Sequence, residues 1–246
     1  MRSPALFDRV VLTILLYLLA AVAAGAQTNP SGRAARAFVV DDRLSALRSG
    51  PDVTGEVLQR LRLGRAVYII GARRAGAGQP GFYRVAVTRR TRGWIHEAAL
   101  AVPGRAGDDR RVANLVMSLE GLDRLSLCRL FRERFARSPL MPGVLLALAE
   151  EAERSANALG VRARRRLAAL DVEGAPVSLR DYYLSDPGLD RYSKLGVRFK
   201  FNEQMRGYIY DGQAYREIVA RFPESPEAKR ARKLMATAGE GLADRR

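Results

Sequence analysis

The sequence predicts an α+β fold in two domains. A small β-barrel spans 37–103, and a mainly α-helical domain with a short β-hairpin insert spans 104–246. Three observations predict it. Short apolar runs broken by Gly, Pro and Asp turns fill 37–103. The hydrophobic period lengthens to three and four residues from Asp108 onward. An ungapped internal repeat, offset by 84 residues, then recurs in the second half.

Composition narrows the chemistry. The 246 residues include one Cys and one His. That excludes an internal disulfide framework, a Cys-rich metal site and a multi-His metal site. It also leaves little room for His-based nucleophilic or acid–base catalysis. The formal net charge is +16, from 42 basic and 26 acidic residues, and only four of the basic residues are Lys. An Arg-for-Lys bias beside abundant Ala fits a GC-rich coding sequence. The competing reading is affinity for anionic partners. Charge is spread along the chain without one dominant run, which favours the first reading.

Arg2 and Arg9 precede an apolar run over 10–26 that ends in Ala24-Gly25-Ala26 and is followed by Gln27. This is the pattern of a secretory signal peptide over 1–26, cleaved between Ala26 and Gln27. The run is short for a membrane span, which needs about 20 residues. Membrane association is therefore expected only through an uncleaved N-terminus. The expected destination is the cell envelope, secreted or periplasmic. An exported basic protein meets glycans, cell-wall carboxylates and headgroups before nucleic acid, so no nucleic-acid partner is expected.

Residues 27–36, centred on Asn29-Pro30-Ser31-Gly32, read as a linker. Then come Phe38-Val39-Val40 as a first strand and 44–48 as a second. Ser49-Gly50-Pro51-Asp52 is a turn. Val57, Leu58 and Leu61 lead into a turn at Leu63-Gly64-Arg65, and 67–70 forms a buried strand. A glycine-rich hairpin tip occupies 76–81. Tyr83, Val85 and Val87 alternate with Arg84, Ala86 and Thr88 as a half-buried strand. Gly93-Trp94-Ile95 is the last strand, closed by Ala98-Ala99-Leu100.

Leu47-Arg48-Ser49-Gly50-Pro51, Val57 to Leu61 with Gly64, Phe82-Tyr83-Arg84-Val85, Gly93-Trp94-Ile95 and Leu100 stand in order and spacing. Together they resemble the bacterial SH3 domain (SH3b). Ser45 replaces that family's first Leu, and Ala46 its usual Asn. The resemblance implies an SH3-like barrel that binds a peptide, a protein or cell-wall material. The candidate ligand-binding residues are Tyr68, Phe82, Tyr83, Trp94, Arg89 and Arg90. Trp94 and Tyr83 have a competing reading as barrel core.

In the second half, Val112, Leu115, Val116 and Leu119 mark one helix. Leu122, Leu125, Leu130 and Phe131 mark a second, and Val144 to Ala152 a third. Leu159 to Leu170 marks a fourth, with Arg162, Arg164, Arg165 and Arg166 on its surface. The repeat aligns Phe131-Arg132-Glu133 with Tyr215-Arg216-Glu217, and Pro139 and Pro142 with Pro223 and Pro226. Each copy reads as helix, Pro-bounded turn, helix. Ser225-Pro226-Glu227 supplies an N-cap, a Pro at the first helical position and an early acid.

Tyr215, Ile218, Phe222-Pro223, Ser225-Pro226, Ala228 and Ala231 resemble the tetratricopeptide hairpins of periplasmic assembly proteins. True arrays repeat near 34 residues, so a tetratricopeptide-like domain with a central insert is expected. The resemblance implies a protein-binding surface. The insert contains Asp181, Asp186, Asp190 and several Tyr. Val197, Phe199 and Phe201 then alternate before Tyr208-Ile209-Tyr210, a short hairpin with its tip at 202–206. Cys128 reads as a small buried apolar residue.

No catalytic set, cofactor or metal site is legible. The expected function is an exported, non-catalytic binding or scaffold protein of the bacterial cell envelope. Its barrel would bind a peptide or a cell-wall component such as peptidoglycan, and its helices a protein partner. The alternative is a cell-wall-acting hydrolase with an SH3b targeting module, its acids drawn from the three Asp of the insert.

Overall fold

The first strand, β1 (Ala35–Val39), is buried on both faces over its last three residues, and the fold is arranged around it. The computed structural model describes residues 34–74, 76, 80–169 and 178–243. The expected signal segment, its cleavage site at Ala26 and Gln27, and the linker as far as Arg33 lie outside the described residues. So do residues 77–79 of the glycine-rich tip. Ala35 and Arg36, read as linker, instead pair with Ile69 and Tyr68.

β2 (Ala46–Arg48), β3 (Val57–Arg60), β4 (Ala66–Arg73), β5 (Phe82–Ala86), β6 (Arg92–His96) and β7 (Leu100–Ala101) complete the sheet. Its order is β3-β2-β6-β5-β4-β1-β7, and every pairing is antiparallel. Turn chemistry sets the ends of these strands. Gly64 takes φ +77°, a left-handed conformation that favours glycine, and its N–H donates to the Val39 carbonyl at 2.8 Å.

The expected barrel is corrected here: the seven strands form an open sheet, and β3 and β7 do not pair with each other among the described residues. The reason lies at the two edges. β3 is exposed along its whole length. β7 has only two residues, and the carbonyls of Ala98 and Leu100 accept hydrogen bonds from the Arg111 guanidinium instead of another strand.

The change from strand to helix comes at α1 (Asp108–Ser118), followed by α2 (Gly121–Arg134) and α3 (Met141–Ala168). The insert folds as α4 (Leu179–Leu184), α5 (Leu189–Ser193) and the hairpin β8 (Phe199–Asn202) and β9 (Gly207–Tyr210). The chain ends in α6 (Gln213–Arg221) and α7 (Pro226–Ala243). Both repeat copies therefore form a helix, a Pro-containing turn and a helix. Ser225 caps α7, its Oγ accepting from the Ala228 N–H at 3.1 Å.

The third and fourth helices expected from the sequence are one helix, α3, of 28 residues. Nothing between Ala152 and Leu159 breaks it, and Ser155 and Ala156 are buried there. Gly160 serves packing: a side-chain carbon on it would lie 3.4 Å from the Gly207 Cα of β9.

Ala37, Val39, Leu47, Val67, Val85 and Ile95 make up the sheet core. Phe38, Val40 and Ala101 instead join the helical core with Val112, Leu130, Phe131 and Leu145. Asp108, in the first turn of α1, accepts from the Val102 N–H at 2.7 Å. Ala35–Arg246 form one compact unit, and its core runs through the expected boundary at Gly104.

Candidate functional site

Strand register decides which side chains share a face, because directly paired residues point to the same side of a sheet. One row across the outer face is Arg36, Tyr68, Ala86 and Arg92. The next is Arg84, Trp94 and Arg48. Tyr68 is 48% exposed, Trp94 is half-buried, and Arg36, Arg84 and Arg92 are exposed. β1, β2, β4, β5 and β6 contain no Asp or Glu at all. This face therefore sets two aromatic rings among four guanidinium groups.

Two of those guanidiniums have structural contacts. Arg48 Nη1 donates to the Gly55 carbonyl at 2.7 Å. Arg36 lies 5.2 Å from the centre of the Phe38 ring, and Arg134 of α2 lies 4.3 Å from the same ring. Phe38 thus closes the end of the face toward the helices. Arg84 and Arg92 have no carboxylate partner among the described residues. Like charges on neighbouring strands repel, and an anion laid across them relieves that repulsion.

The six residues expected from the sequence separate. Tyr68 and Trp94 share the outer face. Arg89 and Arg90 are exposed in the β5–β6 turn, where Thr88 Oγ1 accepts from the Arg90 and Thr91 N–H groups. Phe82 is only 2% exposed and packs edge-on against His96, with ring centres 5.5 Å apart, so it has no ligand-accessible surface. Tyr83 points to the opposite face, beside Ile95. Arg105 lies over its ring and donates to its hydroxyl at 2.8 Å.

Arg36, Arg48 and Arg84 were not among the expected site residues. The alternation around Tyr83 already puts Arg84 on an exposed side, but only the register shows that it meets Trp94 and Arg48.

The three Asp of the insert stand in different surroundings. Asp186 is bonded to Arg166 and accepts from the Gly188 N–H at 2.8 Å. Asp181 lies in the first turn of α4, which Ser178 caps. Asp190 is exposed on α5. No group of three His, Cys, Asp or Glu that could hold a metal occurs among the described residues. The insert's aromatics pack: Tyr183 stacks on Phe201 at 4.7 Å, and the Tyr208 hydroxyl donates to the Tyr183 carbonyl at 2.6 Å.

Burial pushes the Cys128 thiol up to about 12, with Arg124 opposing, which leaves it protonated and unreactive. No helix among the described residues is long and apolar enough to cross a membrane. Comparison with family models, with curated proteins and with solved structures finds no match for the chain.

Proposed function

We propose that the chain is an exported, non-catalytic binding or scaffold protein of the bacterial cell envelope. It takes an extended anionic ligand, a peptide or a peptidoglycan strand, on the outer face of its sheet. The helical hairpins hold a protein partner. The face that sets Tyr68 and Trp94 among Arg36, Arg48, Arg84 and Arg92, on strands without Asp or Glu, carries this reading. Flat rings stack on sugar or peptide planes, and guanidinium forks pair with carboxylates. The resemblance to SH3b domains points to the same ligand class. Against the hydrolase alternative, Asp186 is already bound to Arg166.

The test is co-sedimentation of the protein with purified peptidoglycan at low salt and at about 0.15 M salt, where the Debye length falls to about 8 Å. Retention at the higher salt is expected, with at least a fivefold loss for Tyr68→Ala and for Arg84→Gln. Arg110→Gln, an exposed change on α1, leaves retention unchanged. Retention that vanishes at the higher salt, or that ignores Tyr68→Ala, refutes the reading.

A further inference from the structure

A second basic feature lies far along the chain from the sheet face and is independent of the proposed function. The last turns of α3, the turn at 186–188 and α5 enclose a surface cavity of about 560 Å³. That falls within the roughly 300–1,000 Å³ of ordinary small-molecule sites. Arg162, Arg165, Arg166 and Arg191 line it. Its apolar wall comes from Leu122, Leu159 and Tyr192. The helical spacing explains two of the four arginines. Leu159, Arg162 and Arg166 follow at three- and four-residue steps, and so share one side of α3.

Among the described residues the only carboxylate lining the cavity is Asp186, and its charge is committed to Arg166. Arg162, Arg165 and Arg191 have no carboxylate partner among the described residues. Arginines in the last turns of a helix complement the negative end of its dipole. That accounts for Arg165 and Arg166 in the last turn of α3 and for Arg191 in the last turn of α5, but not for Arg162, which lies further back on α3 and faces the same space.

We propose that this cavity binds a phosphate monoester carried on an apolar body. Three guanidinium forks with no carboxylate partner among the described residues offer more N–H donors than the two oxygens of a carboxylate accept. A phosphate monoester presents three terminal oxygens and up to two charges. The Leu122, Leu159 and Tyr192 wall takes the apolar part, which inorganic phosphate lacks. A soluble phosphate monoester and the headgroup of phosphatidic acid share this chemistry.

The full chain is titrated calorimetrically at about 0.15 M salt with phenyl phosphate and with inorganic phosphate. A parallel arm measures binding to phosphatidylcholine vesicles with and without phosphatidic acid. Phenyl phosphate is expected to bind at least tenfold more tightly than inorganic phosphate. Arg165→Gln and Arg191→Gln each weaken binding at least tenfold with unchanged thermal midpoints, while Arg110→Gln has no effect. Arginine-dependent binding confined to phosphatidic acid vesicles supports the site and identifies the lipid source. Three results overturn the proposal: no binding in either arm, equal affinity for the two soluble phosphates, or equal losses in Arg110→Gln and Arg191→Gln.

Discussion

Replacing Gly93 by Ala tests the sheet at its narrowest point. Gly93 is buried in β6, and a side-chain carbon there would sit 2.8 Å from the Arg48 carbonyl oxygen and 2.8 Å from Leu47 Cγ. Ordinary contact begins near 3.4 Å, so β2 and β6 must part by about 0.6 Å. Leu47 is fully buried and has little room to turn away, and the carbonyl is backbone. Overpacking of this kind costs about 1–3 kcal/mol, and the backbone clash places Gly93→Ala near the upper end. For a chain of this size each kcal/mol shifts the thermal midpoint by about 2–4 °C, so a fall of about 6–12 °C is expected by circular dichroism. β2 is held to β6 through the Arg48–Trp94 pair. The same variant therefore loses peptidoglycan retention. A midpoint equal to that of the parent protein would mean that β2 yields freely, and would refute the reasoning.

The other expectations concern the helical half. Gly143 lies in the first turn of α3, and an added side-chain carbon would come no closer than 3.8 Å to Glu227 Oε1. Gly143→Ala is expected to stabilise the protein by about 0.5–1 kcal/mol, read as a higher urea midpoint. Cys128 sets a pH dependence. Its folded thiol ionises at about 12 and its unfolded thiol near 9.0, so the unfolded chain loses its proton first. This contribution to stability is complete below about pH 9 and declines as pH rises toward 12. Urea midpoints should fall between about pH 9 and about pH 10.5, and Cys128→Ala should flatten part of that fall. Burial also raises the Tyr208 and Tyr215 hydroxyls, with the same sign.

Much of the sheet was legible because its boundaries are local. Ser49-Gly50-Pro51-Asp52 and Leu63-Gly64-Arg65 are turns whatever surrounds them, and the alternation at Tyr83 to Thr88 fixes a strand. Closure was not legible. It depends on whether β3 and β7 meet, and Arg111 occupies the carbonyls at the β7 edge. The single helix α3 was missed because the polar stretch Glu153-Arg154-Ser155 resembles a break, yet Ser155 is buried by tertiary packing. The candidate site was half legible. Tyr68 and Trp94 stood out as large aromatics, but pairing Arg36 with Tyr68 and Arg84 with Trp94 requires a register that one sequence does not state. Phe82 and Tyr83 show the converse, since adjacent residues of one strand face opposite sides.

The double burial of β1 bears on portability. Cut from the helices, the sheet would bare Phe38, Val40 and Ala101 to water; cut from the sheet, the helices would lose a wall of their interior. Neither half is a cassette that can be moved to another protein intact. Calorimetry of the whole chain should therefore show one cooperative melting transition for Ala35–Arg246. Mass action extends the point. A ligand that binds only the folded sheet protects the helices by the same free energy, so occupancy of the outer face can be read from hydrogen exchange in α2 and α3.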